Sequence, residues 1–300
     1  MKKPKNKFKK AQVGIIGTGN IGTDLLVKIQ RSEIIECGMF SGTNPDSAGI
    51  KKAKSMGVRT STDSIQAIKD EPECCDIVID ATSAKAHLIH APILKRLKKF
   101  TIDLTPSQVG KACIPVINMK ECLGENNVNL ITCGGQAAVP IAWAIAQVHP
   151  EVEYIEVVAS ISSCSAGRGT RANIDEFTQA TKDALLTFCG VKSAKAIIVL
   201  NPANPPVLMH NTVYALINKP KIDQIRQEVN KIAEMIKEYV PGYKITLGPV
   251  LESGRVTTMI EVTGRGDFLP KYSGNLDIIT CAAIKVAEDY VKSNILKKKR

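Results

Sequence analysis

Short apolar runs alternating with helical periodicities organise the first part of the chain. Residues 13–17, Val-Gly-Ile-Ile-Gly, precede Thr18-Gly19-Asn20-Ile21-Gly22, and Leu25, Leu26 and Ile29 then recur at helical spacing. That order predicts strand, tight turn and helix. The alternation continues with an apolar run at 34–40, a helix at 46–56 and a buried strand at Ile77-Val78-Ile79, then a helix at 84–97 and a strand at 101–104. Strands separated by helices imply a parallel sheet covered on both faces. After Cys133 the rhythm changes: strand candidates at 153–161, 194–200, 244–251 and 255–263 are longer or closer together. Between them, Ile222, Ile225, Val229, Ile232 and Ile236 mark a helix at 221–240. The last segment, from Asn275 onward, places Leu276, Ile279, Ala283, Val286 and Tyr290 on one helical face, expected to return to the first domain. The expected architecture is α/β: a Rossmann-type parallel-sheet domain, 1–131 completed by 276–300, joined to an α+β domain, 132–275.

Composition changes this picture little. A hydrophobic content of 44% describes an ordinary globular chain, and no apolar run is long enough for a membrane span. The lysine-rich start lacks the apolar stretch of a secretory signal, so a cytoplasmic location with no membrane partner is expected. The formal charge of +11 is concentrated in six lysines within residues 1–10 and in Lys297, Lys298, Lys299 and Arg300, which leaves a nearly neutral core. Solvated basic ends of this kind do not predict nucleic-acid binding. Nine cysteines, odd in number and without paired ligand spacing, suggest reduced thiols and no metal site.

Three segments carry candidate chemistry. Gly17-Thr18-Gly19-Asn20-Ile21-Gly22 is a G-x-G-x-x-G that follows a strand and opens a helix, the context in which backbone amides and a helix N-terminus receive a pyrophosphate. The acidic residue that would hold a ribose 2′-hydroxyl is absent from Phe40-Ser41-Gly42-Thr43-Asn44, and Lys51 and Lys52 lie just beyond. NAD is therefore the expected cofactor, with NADP an option. In Thr132-Cys133-Gly134-Gly135-Gln136, an apolar strand runs into a cysteine at the start of a helix-like run, 137–148. Amides at such a junction favour a thiolate and can cradle an oxyanion, although a buried structural cysteine fits the same pattern. The third segment, Ser165-Ala166-Gly167-Arg168-Gly169-Thr170-Arg171-Ala172-Asn173, precedes a helix beginning near Ile174; it can wrap a dinucleotide, admit an anionic acyl acceptor, or serve only as a connection.

Taken together, these segments resemble the acylating acetaldehyde dehydrogenases that work with a 4-hydroxy-2-oxovalerate aldolase in aromatic meta-cleavage pathways. The resemblance spans nearly the whole chain. It rests on Gly-Asn-Ile-Gly-Thr-Asp at 19–24, Asp-Ala-Thr-Ser-Ala at 80–84, Asp-Leu-Thr-Pro at 103–106, Thr-Cys-Gly-Gly-Gln-Ala at 132–137, Gly-Thr-Arg-Ala-Asn-Ile-Asp-Glu-Phe-Thr at 169–178 and Ser-Gly-Asn-Leu-Asp at 273–277. It implies a glyceraldehyde-3-phosphate dehydrogenase-like arrangement in which 1–131 binds the dinucleotide and 132–275 carries catalysis and dimerisation. Cys133 falls at the nucleophile. Thr18, Gly19, Asn20, Ile21, the loop residues Ser165, Ala166, Gly167, Arg168, Gly169, Thr170, Arg171, Ala172 and Asn173, and Asn275 fall at NAD-contacting positions.

The implied reaction converts acetaldehyde or propanal, NAD and coenzyme A to the acyl-CoA and NADH through a cysteine thioester, in a homodimer with an aldolase as a further implied partner. The chain departs from the family in four places: Asn211 stands for an aspartate in Met209-His210-Asn211-Thr212-Val213-Tyr214, Asn44 for the acidic residue after the second strand, Arg168 for a proline, and the stretch 244–263 is more compact. Asparagine cannot take a proton, so either His210 assumes that duty or Asn211 orients groups by hydrogen bonding. Two alternative readings are a semialdehyde or acyl-phosphate reductase of the same architecture, and a non-catalytic nucleotide-binding protein.

Overall fold

The computed structural model describes residues 9–167, 170–171 and 173–296. Strand β1 (Ala11–Ile16) runs through the turn at 17–19 into helix α1 (Asn20–Ile29), followed by β2 (Ile35–Ser41), α2 (Ala48–Ser55), β3 (Thr60–Ser61) and α3 (Ile65–Asp70). The chain then returns to the middle of the sheet as β4 (Ile77–Asp80), α4 (Ala84–Arg96), β5 (Phe100–Asp103), β6 (Lys111–Ala112), α5 (Pro115–Cys122) and β7 (Asn127–Asn129). The resulting seven-stranded sheet has the order β3-β2-β1-β4-β5-β7-β6, and every pairing in it is parallel. Both faces are covered, which is why Ile77, Val78 and Ile79 form an uninterrupted apolar run. Ile77 and Ile79 join one hydrophobic cluster, and Val78 joins a second with Ile16, Ile68 and Leu94.

Strand order reverses between β1 and β4, so the crevice at their carboxyl ends is the place where such sheets bind ligands. The turn after β1 is fitted to that crevice. Gly17 has φ +112°, and a Cβ there would lie 2.5 Å from the Ala81 carbonyl oxygen. A side chain at this position would push β1 and β4 apart.

Helix α6 (Cys133–Val148) leads into the second layer: β8 (Tyr154–Ser162), α7 (Ile174–Cys189), β9 (Ser193–Asn201), β10 (Met209–Leu216), α8 (Ile222–Lys237), β11 (Tyr243–Glu252) and β12 (Arg255–Val262). These strands form a mixed sheet of order β11-β12-β10-β8-β9, antiparallel except for β8 with β9. Helices α6, α7 and α8 bury their apolar stripes in one cluster with this sheet; α8 contributes Ile225, Val229, Ile232, Ala233 and Ile236, close to the spacing read from the sequence. On the opposite face Val199, Leu216 and Met259 remain exposed.

The final helix, α9 (Gly274–Tyr290), does return to the first sheet. Ile279, Ala282, Ala283, Val286 and Ala287 enter the cluster of β1 and β4, and the Tyr290 ring stacks on Phe100 with centroids 3.9 Å apart. A buried charge cluster also fastens α9 to α1: the Lys28 ammonium meets Asp24 and, at 2.8 Å, Asp277, while the Thr280 hydroxyl donates to Asp24 at 2.7 Å. Burial alone would lower the Lys28 pKa, but the two carboxylates outweigh it and hold the ammonium charged.

Candidate active site

One cleft gathers the elements that the sequence singled out. Its walls are Ile21 from the first turn of α1, Thr82 and Ser83 after β4, Leu104, Thr105 and Pro106 after β5, Ile131, Thr132 and Cys133, Thr170, Asn173 and Phe177, and Asn275, Leu276 and Ile279 from α9. It encloses about 730 Å³ of non-protein space, solvent at its mouth included.

Cys133 is the first residue of α6. Thr132, in extended conformation, caps that helix by accepting at 2.8 Å from the Gly135 amide, and its hydroxyl also meets that of Thr181 at 2.7 Å. The sulfur lies between the two large hydrophobic clusters and packs against both. Its expected ionisation is corrected here. Burial pushes the thiol up to about 12, although the neighbouring amides of Gly134 and of Cys133 itself pull the other way. Helix amides were the local signal. The desolvating walls, Phe177, Leu276 and Ile279, come from distant parts of the chain.

The N-terminus of α1 opens on the same cleft. No side chain caps it and its first turn holds no acidic residue. A Cβ on Gly19 would meet nothing within 4 Å, so the space beside this turn is open. Thr18 is buried beneath this turn, and its hydroxyl accepts from Ser47 at 3.0 Å. After β2, Asn44 is exposed and accepts from the Asp46 amide, and Lys51 and Lys52 are exposed on α2.

Of the loop at 165–173, Thr170 and Asn173 line the cleft. Ser165 and Ala166 are buried within the fold, and the Ser165 hydroxyl donates to the Ser162 carbonyl. Gly167 is exposed. The Arg171 guanidinium bonds to the Ala166 and Ser163 carbonyls and the Ser163 hydroxyl, so its donors hold the loop itself. Arg168, Gly169 and Ala172 lie outside the described residues. Asn275 is only 1% exposed, and neither its amide nitrogen nor its oxygen has a hydrogen-bond partner. A buried carboxamide left open in both senses at a cleft wall fits a planar carboxamide such as that of nicotinamide.

The segment 209–214 is strand β10, which the sequence reading had not assigned. Alternation puts His210 and Asn211 on opposite faces. His210 faces outward between the Leu208 carbonyl and Glu261, whereas Asn211 is buried and donates at 3.2 Å to the Gly134 carbonyl in the first turn of α6. The structure thus leaves His210 on the opposite sheet face from α6 and ties Asn211 to the first turn of α6. Sequence reasoning also missed Thr82, Thr105 and Ile131. The signal for the first two was present, since Asp-Ala-Thr-Ser-Ala and Asp-Leu-Thr-Pro begin at the carboxyl edges of β4 and β5.

Comparison with known proteins adds an independent line. Residues 133–270 match a family model described as prokaryotic acetaldehyde dehydrogenase, dimerisation. An acetaldehyde dehydrogenase of Pectobacterium atrosepticum is 54% identical over 94% of this chain and 96% of its own length. Those of Spirochaeta aurantia and Geobacillus stearothermophilus are 50% and 51% identical, each over 95% of this chain and 96% and 98% of their own. Among solved structures, aspartate semialdehyde dehydrogenase II from Vibrio cholerae has the same fold, with a TM-score of 0.61 at 14% identity, covering 96% of this chain and all of the other.

Proposed function

The chain belongs to the acetaldehyde dehydrogenase family, and on that premise we propose that it oxidises a short aldehyde through Cys133, passing hydride to NAD and the acyl group to coenzyme A. The observation that carries this reading is the meeting, in one cleft, of the Cys133 thiol with an uncapped glycine-turn helix and with the open carboxamide of Asn275. In the division proposed here, 1–131 with 276–300 binds the dinucleotide, and 132–275 carries catalysis and self-association.

The first-turn amides of α1 suit the pyrophosphate, with Thr18, Gly19, Asn20 and Ile21 around it and Thr170 and Asn173 across the cleft. Asn275 suits the nicotinamide carboxamide. The nicotinamide supplies the hydride acceptor and coenzyme A the thiol that removes the acyl group. Cys133 forms the bond to the aldehyde carbon. Its thiol proton leaves, and the carbonyl oxygen becomes an alkoxide beside the amides of Cys133 and Gly134. Loss of hydride from that carbon leaves a thioester on Cys133, and attack by the acceptor thiol breaks the thioester and restores the cysteine. None of the described cleft residues is a carboxylate or imidazole, so the proton departs to water or to a co-substrate. Asn211 keeps the Gly134 carbonyl, and with it the first turn of α6, in place.

Association of two copies is supported by the exposed Val199, Leu216 and Met259 on the uncovered sheet face within 133–270. Free cysteines throughout the described residues suit a reducing cytoplasm. Exposed Lys51 and Lys52 leave NADP as a second acceptor, decided by comparing the two Michaelis constants. An aldolase partner rests on the family alone.

The test is mass spectrometry of the protein incubated with acetaldehyde and NAD without coenzyme A. One acyl group should appear on Cys133 and be discharged by coenzyme A. Discharge by phosphate alone would favour the acyl-phosphate reading, and cofactor binding with no acylation would favour a nucleotide-binding protein.

A further inference from the structure

The residue that leads into the nucleophile has an uncommon backbone. Ile131 has φ +62°, a left-handed conformation that costs a β-branched side chain more than any other type. It is 4% exposed, lines the cleft and stands two residues before Cys133. Such a conformation persists only where surrounding bonds over-determine it.

Those bonds are visible. The Ile131 amide donates to the Asn129 side-chain oxygen at 2.8 Å, and the Asn129 amide group donates at 2.8 Å both to Asp103 Oδ2 and to the Thr105 carbonyl. Asp103 is saturated in turn: Oδ1 accepts from the Thr105 amide at 2.8 Å and Oδ2 from the Ser107 hydroxyl at 2.5 Å. Behind it lies His87, fully buried, with Nδ1 2.8 Å from Asp80 Oδ2 and Nε2 hydrogen bonded to the Asn127 side-chain amide at 2.9 Å and 3.5 Å from Asp103 Oδ2. Asp80 also accepts from His90 Nδ1 at 2.8 Å and, through Oδ1, from Thr82. The motifs at 80–84 and 103–106, which contribute only wall atoms to the cleft, thus share one buried network that ends on the peptide of Ile131.

We infer that Asn129, clamped by Asp103, is a positioning residue that holds Ile131 left-handed and so aims the Cys133 sulfur into the cleft. The inference rests on Cys133 being the nucleophile. Neither Asn129 nor Asp103 needs to touch substrate. Without the clamp, Ile131 relaxes toward an extended or right-handed backbone and the start of α6 shifts with it.

The experiment combines Asn129→Ala, Ile131→Gly and their double variant. It measures kcat, aldehyde KM and the rate at which iodoacetamide alkylates Cys133, with thermal unfolding as control. Asn129→Ala should lower kcat about 10- to 100-fold, as expected for a misplacement of about an ångström, with KM nearly unchanged and alkylation slowed. Glycine accepts the left-handed region without penalty, so Ile131→Gly added to Asn129→Ala should recover part of the loss. A role confined to stability predicts the opposite, because the cavity left by Ile131 would add its own damage. Asn129→Ala with unaltered kcat and alkylation overturns the inference, as does a double variant showing the product of the two single losses. If Asn129→Ala does not fold, Asp103→Asn, which keeps an oxygen to accept from Asn129, should exceed Asp103→Ala in both rates, and equal losses overturn the inference. Failure of the nucleophile reading looks different: the parent protein would then turn over with no acyl group on Cys133.

Discussion

Two helix N-termini face one cleft, and they are used in opposite ways. That of α1 is uncapped, has no acidic residue in its first turn and opens on empty space above Gly19. That of α6 is closed, with Thr132 capping the Gly135 amide and the Cys133 sulfur against the remaining amides. Both ends carry the partial positive charge of aligned peptides, an effect of roughly 0.3–2 kcal/mol. At α1 nothing opposes it, and a diffusible anion can be received. At α6 burial opposes it and wins: a thiol raised from 9.0 to about 12 corresponds to about 4 kcal/mol against ionisation. A helix terminus therefore makes an anion site only where the anion can keep enough solvent or partners. Burial thus holds Cys133 toward its thiol form.

The sharpest separation of the two termini is by substitution. Cys133→Ala should reduce turnover by about 10⁴-fold or more while leaving NAD affinity, measured by calorimetry, within a small factor. Appreciable residual turnover would remove α6 from the chemistry. The next effect concerns ionisation. With the thiol near 12, alkylation of Cys133 in the free protein should climb about tenfold for each pH unit up to pH 10, without the plateau that an activated cysteine shows near neutrality. A plateau below pH 8 would mean that helix amides outweigh burial, which would erase the contrast. Binding an oxidised, positively charged nicotinamide should accelerate the reaction at fixed pH, because a cation in the cleft favours the thiolate.

The opposite probe is Gly19→Ala. Its Cβ meets no atom within 4 Å, and Ala is a poorer N-cap than Gly, so stability should fall by no more than about 1 kcal/mol. A methyl group in the space where a pyrophosphate approaches the amides should nevertheless weaken NAD binding by about tenfold, while the alkylation profile of Cys133 stays the same. Unchanged NAD affinity would break the assignment of α1 as the open, anion-receiving end.

What was legible in the sequence follows the range of the forces involved. The Rossmann-type layer could be read because glycine turns, β-branched runs and helical spacing are local signals, and α9 announced its return by one continuous apolar face. Strand β10 was missed because Asn211 occupies an inward position that alternation reserves for apolar residues, and its reason, a bond to the Gly134 carbonyl, lies 77 residues away in sequence. The ionisation of Cys133 was misread for the same cause: the amides are adjacent in sequence, whereas the desolvating wall is assembled from α7 and α9. The left-handed Ile131 and its support by Asn129 and Asp103 leave no mark in composition or periodicity.

The smallest effect tests how far the closed terminus depends on its cap. Thr132→Val keeps the shape of the side chain but removes the acceptor for the Gly135 amide and the partner of the Thr181 hydroxyl, both buried. Loss of an N-cap costs about 1 kcal/mol, and the stranded Thr181 hydroxyl still donates to the Phe177 carbonyl, which limits the further penalty. A decrease of about 1–2 kcal/mol in unfolding free energy by urea titration is therefore expected, with no loss of NAD affinity, since α1 shares none of these bonds. If NAD affinity fell in step with stability, the two termini would be coupled through the cleft, and the separation of an open end from a closed one would have to be replaced by a single cooperative unit.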